Sequence, residues 1–161
     1  MHIWTIEKWK SVLPAKYIEK TNKIWVISDR HVNEEVKVAC REFIAWLKNE
    51  YRFPLPIRIY LRNQVKLKTL DGDFAVGTFF EPSCYEESSY IRIAVGDYEE
   101  LVNEIGRDNA LATILSDVAH ELTHYFQWIN DLRLTERGRE RQARQYAHFI
   151  ISEYAQTREH P

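Results

Sequence analysis

Residues 117–127 read DVAHELTHYFQ and set two histidines, His120 and His124, four positions apart, with Glu121 beside the first. On a helix, side chains four apart stack on one face, about 5–6 Å apart at Cβ. Two imidazoles at that separation can converge on one zinc ion at roughly 2.0–2.1 Å. Each helical residue turns by about 100°, so Glu121 points away from the histidine pair. It is poorly placed as a third ligand, yet it can reach a water in an open position of the metal. The pattern therefore supplies two ligands and a base. A helical wheel puts Leu111, Leu115, Val118, Leu122, Phe126 and Ile129 on one apolar stripe, with His120 and His124 opposite, beside Thr113 and Gln127. A histidine that only fills a core would lie on the stripe.

A third ligand is expected from the next helical stretch, RLTERGRERQARQYAHFIISEY. Its apolar stripe holds Ala143, Ala147, Ile150 and Tyr154, with Ile151 at the edge. Glu140 lies on that side, one turn before Ala143. An inward carboxylate needs a partner, because burying a bare charge is costly. Zinc would be that partner. Ala143 and Ala147 are small and allow close approach to the histidine helix. Glu136, one turn earlier on the same side, is the rival ligand.

AHELTHYFQ followed by ERQARQYA resembles the gluzincin metallopeptidases, in which HExxH is followed by Glu-x-x-Ala on a later helix. The short chain is similar to minigluzincins, compact single-domain members. The likeness covers residues 108–155; the region upstream fits only in its order of elements. It implies a zincin-like fold, His120, His124 and Glu140 as zinc ligands, and Glu121 as the general base of peptide hydrolysis. Many gluzincins carry an acidic residue four positions after the ligand glutamate, as partner of a histidine. Here that position is Arg144, and Asp117 is the substitute considered. The family also implies a Tyr or His donor for the developing oxyanion, with Tyr125, Tyr146, His148 and Tyr154 as candidates. Minigluzincin latency implies a terminal segment in the cleft, and His2 and His160 are the side chains that would cap the metal.

The elements that must position these groups follow from periodicity. IWVIS (24–28) reads as a strand. Val36, Cys40, Phe43, Ile44 and Leu47 recur at three and four, a helix with Asn33 as N-cap that ends before Pro54. IRIYLRN (57–63), FAVGTFF (74–80) and YIRIAV (90–95) read as strands, the first and third alternating as half-buried strands do. LDGD (70–73) is a turn, EPSCYEESS (81–89) a hairpin loop, and 97–105 a short helix. Two long helices follow, over 108–130 and 135–154. The expectation is one α+β domain over residues 1–161, with a small, mostly antiparallel sheet, an active-site helix and a following glutamate helix. A peptide or protein substrate would add as a strand to the sheet edge, FAVGTFF or YIRIAV.

Composition narrows the alternatives. A chain of 161 residues, 45% hydrophobic and 29% charged, builds one ordinary core. No run approaches the ~20 apolar residues of a membrane span, and the first residues lack a signal-peptide apolar stretch, so a cytoplasmic protein is expected. Cys40 and Cys84 lie far apart and read as reduced thiols. A net charge of −2 gives no global pull toward nucleic acid or anionic lipid. The other reading is a metal-stabilised regulatory or nucleic-acid- or protein-binding module without turnover. Arg133, Arg137, Arg139, Arg141 and Arg144 could meet phosphates, but Glu136 and Glu140 interleave them and no other basic patch is visible, so nucleic acid is not expected as a partner.

Overall fold

The computed structural model describes residues 2–18 and 22–161. Two short helices open the chain, α1 (Trp9–Val12) and α2 (Ala15–Ile18). Strand β1 (Ile24–Ser28) leads into α3 (Glu34–Glu50), whose N-cap Asn33 accepts a hydrogen bond from the Glu35 N–H. Glu34 and Glu35 favour that end of the helix dipole. The chain leaves α3 at Tyr51 in extended backbone, ahead of Pro54 and Pro56.

Strands β2 (Ile57–Arg62), β3 (Leu67–Lys68), β4 (Phe74–Ala75), β5 (Gly77–Phe80) and β6 (Ser89–Ala94) follow, then α4 (Tyr98–Ile105), α5 (Arg107–Ile129) and α6 (Glu136–Ala155). The four-stranded sheet has the order β1-β2-β6-β5, and β3 pairs with β4 in a small separate ribbon. The β3–β4 turn passes through Gly72 at φ +87°, where a glycine carries no steric cost. FAVGTFF is not one strand: it divides at Val76 into β4 and β5.

The sheet is mixed rather than mostly antiparallel. β1 pairs parallel with β2, β2 parallel with β6, and only β5 runs antiparallel to β6. Helix α3 is a crossover, which returns the chain to run β2 in the direction of β1. Segment 63–88 builds the ribbon and the edge strand before β6 enters beside β2. The alternation that suggested antiparallel pairing has another origin. Parallel strands are usually covered on both faces. Here β2 buries alternate residues, and β6 does so up to Ile93, because helices cover one face.

That covered face forms the core. Ile57, Ile59, Leu61, Ile91 and Ile93 meet Val36, Phe43 and Leu47 of α3 and Leu111, Leu115, Val118 and Leu122 of α5. The expected stripes on α3 and α5 are all buried. The N-terminal segment also enters this core. Trp4 packs on Phe126 and donates its indole N–H to Thr123 Oγ1 at 3.0 Å, and the Trp9 N–H donates to Asn130 Oδ1 at 2.8 Å. Cys40 is buried and Cys84 exposed, and both are free. No described helix is long and apolar enough to cross a membrane.

Candidate metal centre

Helix α5 runs through the middle of the molecule. Its C-terminal half, from Glu121 to Asn130, is buried on every side. The wheel's polar side is open at Thr113 but closes further along, where α6 packs on α5 through the small residues Ala143 and Ala147. His124 is therefore only 7% exposed, and His120 is partly covered.

His120, His124 and Glu140 meet across the two helices. Their ligand atoms all lie within 4.8 Å of one another. His120 Nε2 is 3.2 Å from Glu140 Oε2, and His124 Nε2 is 3.1 Å from Glu140 Oε1. Ligands on a tetrahedral zinc at roughly 2.0–2.1 Å are separated by about 3.3 Å, so these spacings suit a shared ion. Glu136 lines the same cleft but lies outside the group.

Gln127, one turn after His124, decides which nitrogen of that imidazole is free. Its side-chain N–H₂ donates to the Arg139 carbonyl at 3.1 Å and to Gln142 Oε1 at 2.9 Å. Its Oε1 must then face His124 Nδ1, 2.8 Å away, and accept the Nδ1–H. In its neutral form the imidazole then presents a lone pair at Nε2 toward a carboxylate oxygen. Two acceptors facing each other at that distance need a cation between them. Protonating His120 does not answer this well, because burial and the neighbouring His124 lower its pKa against the pull of Glu140. Two imidazoles and one carboxylate are a donor set that fits a divalent metal. Sequence reading put Gln127 on the right side of the helix without assigning it this part. Its spacing of three from His124 was the available signal. Asp117, the substitute considered, makes no hydrogen bond to an imidazole among the described residues.

Glu121 lines the cleft beside this group and is 7% exposed. Burial, then the charges of Glu140 and Asp117, push its carboxyl up to about 8. A divalent cation would oppose that shift. Against Glu121 stands Gly77, the first residue of β5. A Cβ there would lie 2.9 Å from Glu121 Oε1 and 3.2 Å from Ile93 Cδ1, so only glycine leaves this carboxylate its place. Nothing in the local sequence marked Gly77; its partner lies 44 positions along the chain.

No family model, no curated protein and no solved structure matches this chain.

The cleft has a volume of about 860 Å³ and runs between α6, the β3–β4 ribbon and strand β5. β5 is an edge strand and borders the cleft; β6 is interior, so YIRIAV is not the edge. The expected oxyanion donors are elsewhere. Tyr125 is fully buried, its hydroxyl donating to the Leu55 carbonyl and accepting from the Leu55 N–H. Tyr154 packs on Phe43 and Trp46, Tyr146 on His2 and Phe149, and His148 is exposed on α6. None of the four lines the cleft, whereas Tyr90, Arg92 and Arg139 do. The two histidines considered as metal caps are also engaged elsewhere. His160 pairs with Asp108 at 2.7 Å, and His2 sits among Tyr51, Tyr146 and Phe149.

Proposed function

We propose that this chain is a zinc-dependent peptidase of the minigluzincin kind, with a zincin-like fold, that hydrolyses peptide bonds with Glu121 as general base. The observation that carries this reading is the convergence of His120 Nε2, His124 Nε2 and the Glu140 carboxylate, with a second acid, Glu121, buried in the same cleft. His120, His124 and Glu140 would hold the metal. When bound, zinc supplies a Lewis acid and lowers the pKa of water in the site toward neutrality.

The remaining work belongs to the chain. Gln127 holds the His124 ring with Nε2 forward. Glu121 accepts a proton from the attacking water and returns it to the amine as the peptide C–N bond breaks. Gly77 keeps that carboxylate from being pushed aside. β5 offers the substrate an unpaired main-chain edge, along which an extended peptide can add as a further strand. Arg92 and Arg139 are cationic donors on the walls, in reach of substrate carbonyls or a terminal carboxylate.

The test uses metal analysis and hydrolysis of a mixed peptide pool together. The expected outcome is about one zinc per chain, cleavage lost in Glu121→Gln with zinc retained, and zinc lost in His124→Ala. Full cleavage by Glu121→Gln, or equal zinc in wild type and His124→Ala, would sink the proposal.

A further inference from the structure

The face of the sheet turned away from the helices carries two rows of side chains, and only their end nearest β5, through Thr78, Phe80, Tyr90 and Arg92, is shared with the cleft of the peptidase reading. Strand alternation puts every second residue outward. The register aligns Phe80 of β5 with Tyr90 of β6, Tyr90 with Arg58 of β2, and Arg58 with Trp25 of β1. The next row is Thr78, Arg92, Tyr60 and Ile27. Each of these eight is exposed or half-exposed, and Trp25 and Ile27 on the far edge are 43% and 42% exposed. The eight include four aromatic rings and two arginines but no carboxylate.

The rings already lie as a platform. Phe80 stacks on Tyr90 with centroids 4.9 Å apart and planes 13° apart, and Tyr60 meets Tyr90 edge-on at 6.0 Å. The Arg58 guanidinium lies over the Trp25 ring, 5.1 Å from its centroid, and forms no ion pair among the described residues. Arg92 donates to Thr78 Oγ1 and the Lys68 carbonyl, so no carboxylate neutralises it either. Arg62, the next outward residue of β2, is paired with Asp29 at 3.5 Å.

We propose that this sheet face binds single-stranded nucleic acid. Bases stack on exposed rings without regard to sequence, and interleaved arginines meet the phosphates between them. A duplex offers no free base faces and would not use the rings. A second copy of this chain is a poor occupant, because a two-fold contact would bury Arg58 and Arg92 against a copy of the same patch, which offers them no carboxylate. The whole-chain charge of −2 does not oppose this, since none of the eight residues is acidic. The inference rests on the sheet face and not on the metal, although Thr78, Phe80, Tyr90 and Arg92 also line the cleft.

The experiment is fluorescence anisotropy of the full chain with labelled oligo-dT and oligo-U of about 12 nucleotides, within the range such platforms cover. Two to three phosphate contacts predict about a tenfold loss of affinity between roughly 50 and 200 mM salt. Trp25→Ala and Tyr90→Ala are each expected to weaken binding about tenfold, as loss of one stacked base does. Arg58→Ala should make the salt slope shallower by about 0.7. Trp25→Phe, which keeps a ring, should retain binding and so separates stacking from loss of fold. Absence of saturable binding, alanine variants that bind as wild type does, or equal affinity for a duplex would each overturn the proposal. Tighter binding of poly-glutamate than of the oligonucleotides would overturn it too, by assigning the face to an acidic protein.

Discussion

At the scale of single residues, the site turns on which atoms have lone pairs to give. Gln127 spends both amide hydrogens on Arg139 and Gln142, and so leaves His124 Nε2 as the nitrogen that faces Glu140. Partners of this kind typically change metal affinity by about 10–100-fold. Gln127→Leu is therefore expected to weaken zinc binding by that factor, measured by competition with a chromophoric chelator; unchanged affinity would remove the orienting role. Asp117 poses a different residue-scale question. Burial, with the charge of Asp97 adding, pushes its carboxyl up from 3.8 to about 7. Between those values the folded state keeps a proton that the unfolded state has lost, so this group makes stability fall as pH rises through the window. Asp117→Asn should melt higher than wild type at about pH 8, with the difference gone at about pH 4. A constant difference across that range would mean that charge is not the cause.

At the scale of elements, three pieces must be in register: α5 carries the imidazoles and Glu121, α6 carries Glu140, and β5 walls the cleft. The β5–α5 fit is tightest at Gly77. Gly77→Ala would press its methyl on the Glu121 carboxylate, and a shift of about 1 Å in a catalytic group can cost about 100-fold in rate. Cleavage is expected to fall by about that factor while zinc content stays at the wild-type level. Loss of zinc in this variant would show instead that α5 itself had moved. The α5–α6 fit depends on Ala143 and Ala147, which let the helix backbones approach and bring Glu140 to the histidines.

At the scale of the whole molecule, a metal held by His120, His124 and Glu140 would add a tie between two helices that already pack through Ala143 and Ala147. Glu121, Asp117 and Glu140 also place three acids close enough to raise the first of them, a repulsion that a cation relieves. A metal that binds only the folded state, at about a thousand times its Kd, adds about 4 kcal/mol. For a chain of this size that is roughly 10 °C in melting temperature. Chelation followed by calorimetry should lower the transition by that amount, and added zinc should restore it. An identical melting curve before and after chelation would argue against a metal held between α5 and α6.

Much of this protein was legible along the chain because it is local. A 3.6-residue period marked α3, α5 and α6, and a four-residue spacing put His120 and His124 on one face. The small residues Ala143 and Ala147 foretold the close helix pair, and the side of α6 that faces it narrowed the third ligand to Glu140 or Glu136. These are consequences of backbone geometry that no distant residue can change. What the fold alone decided involves residues far apart in sequence. The direction of β6 beside β2, the placement of β5 as the edge, Gly77 against Glu121 and the choice of Glu140 over Glu136 all depend on how separate elements come to rest. Alternation in β2 and β6 reports that one face is covered, and it carries no information about which way the neighbouring strand runs.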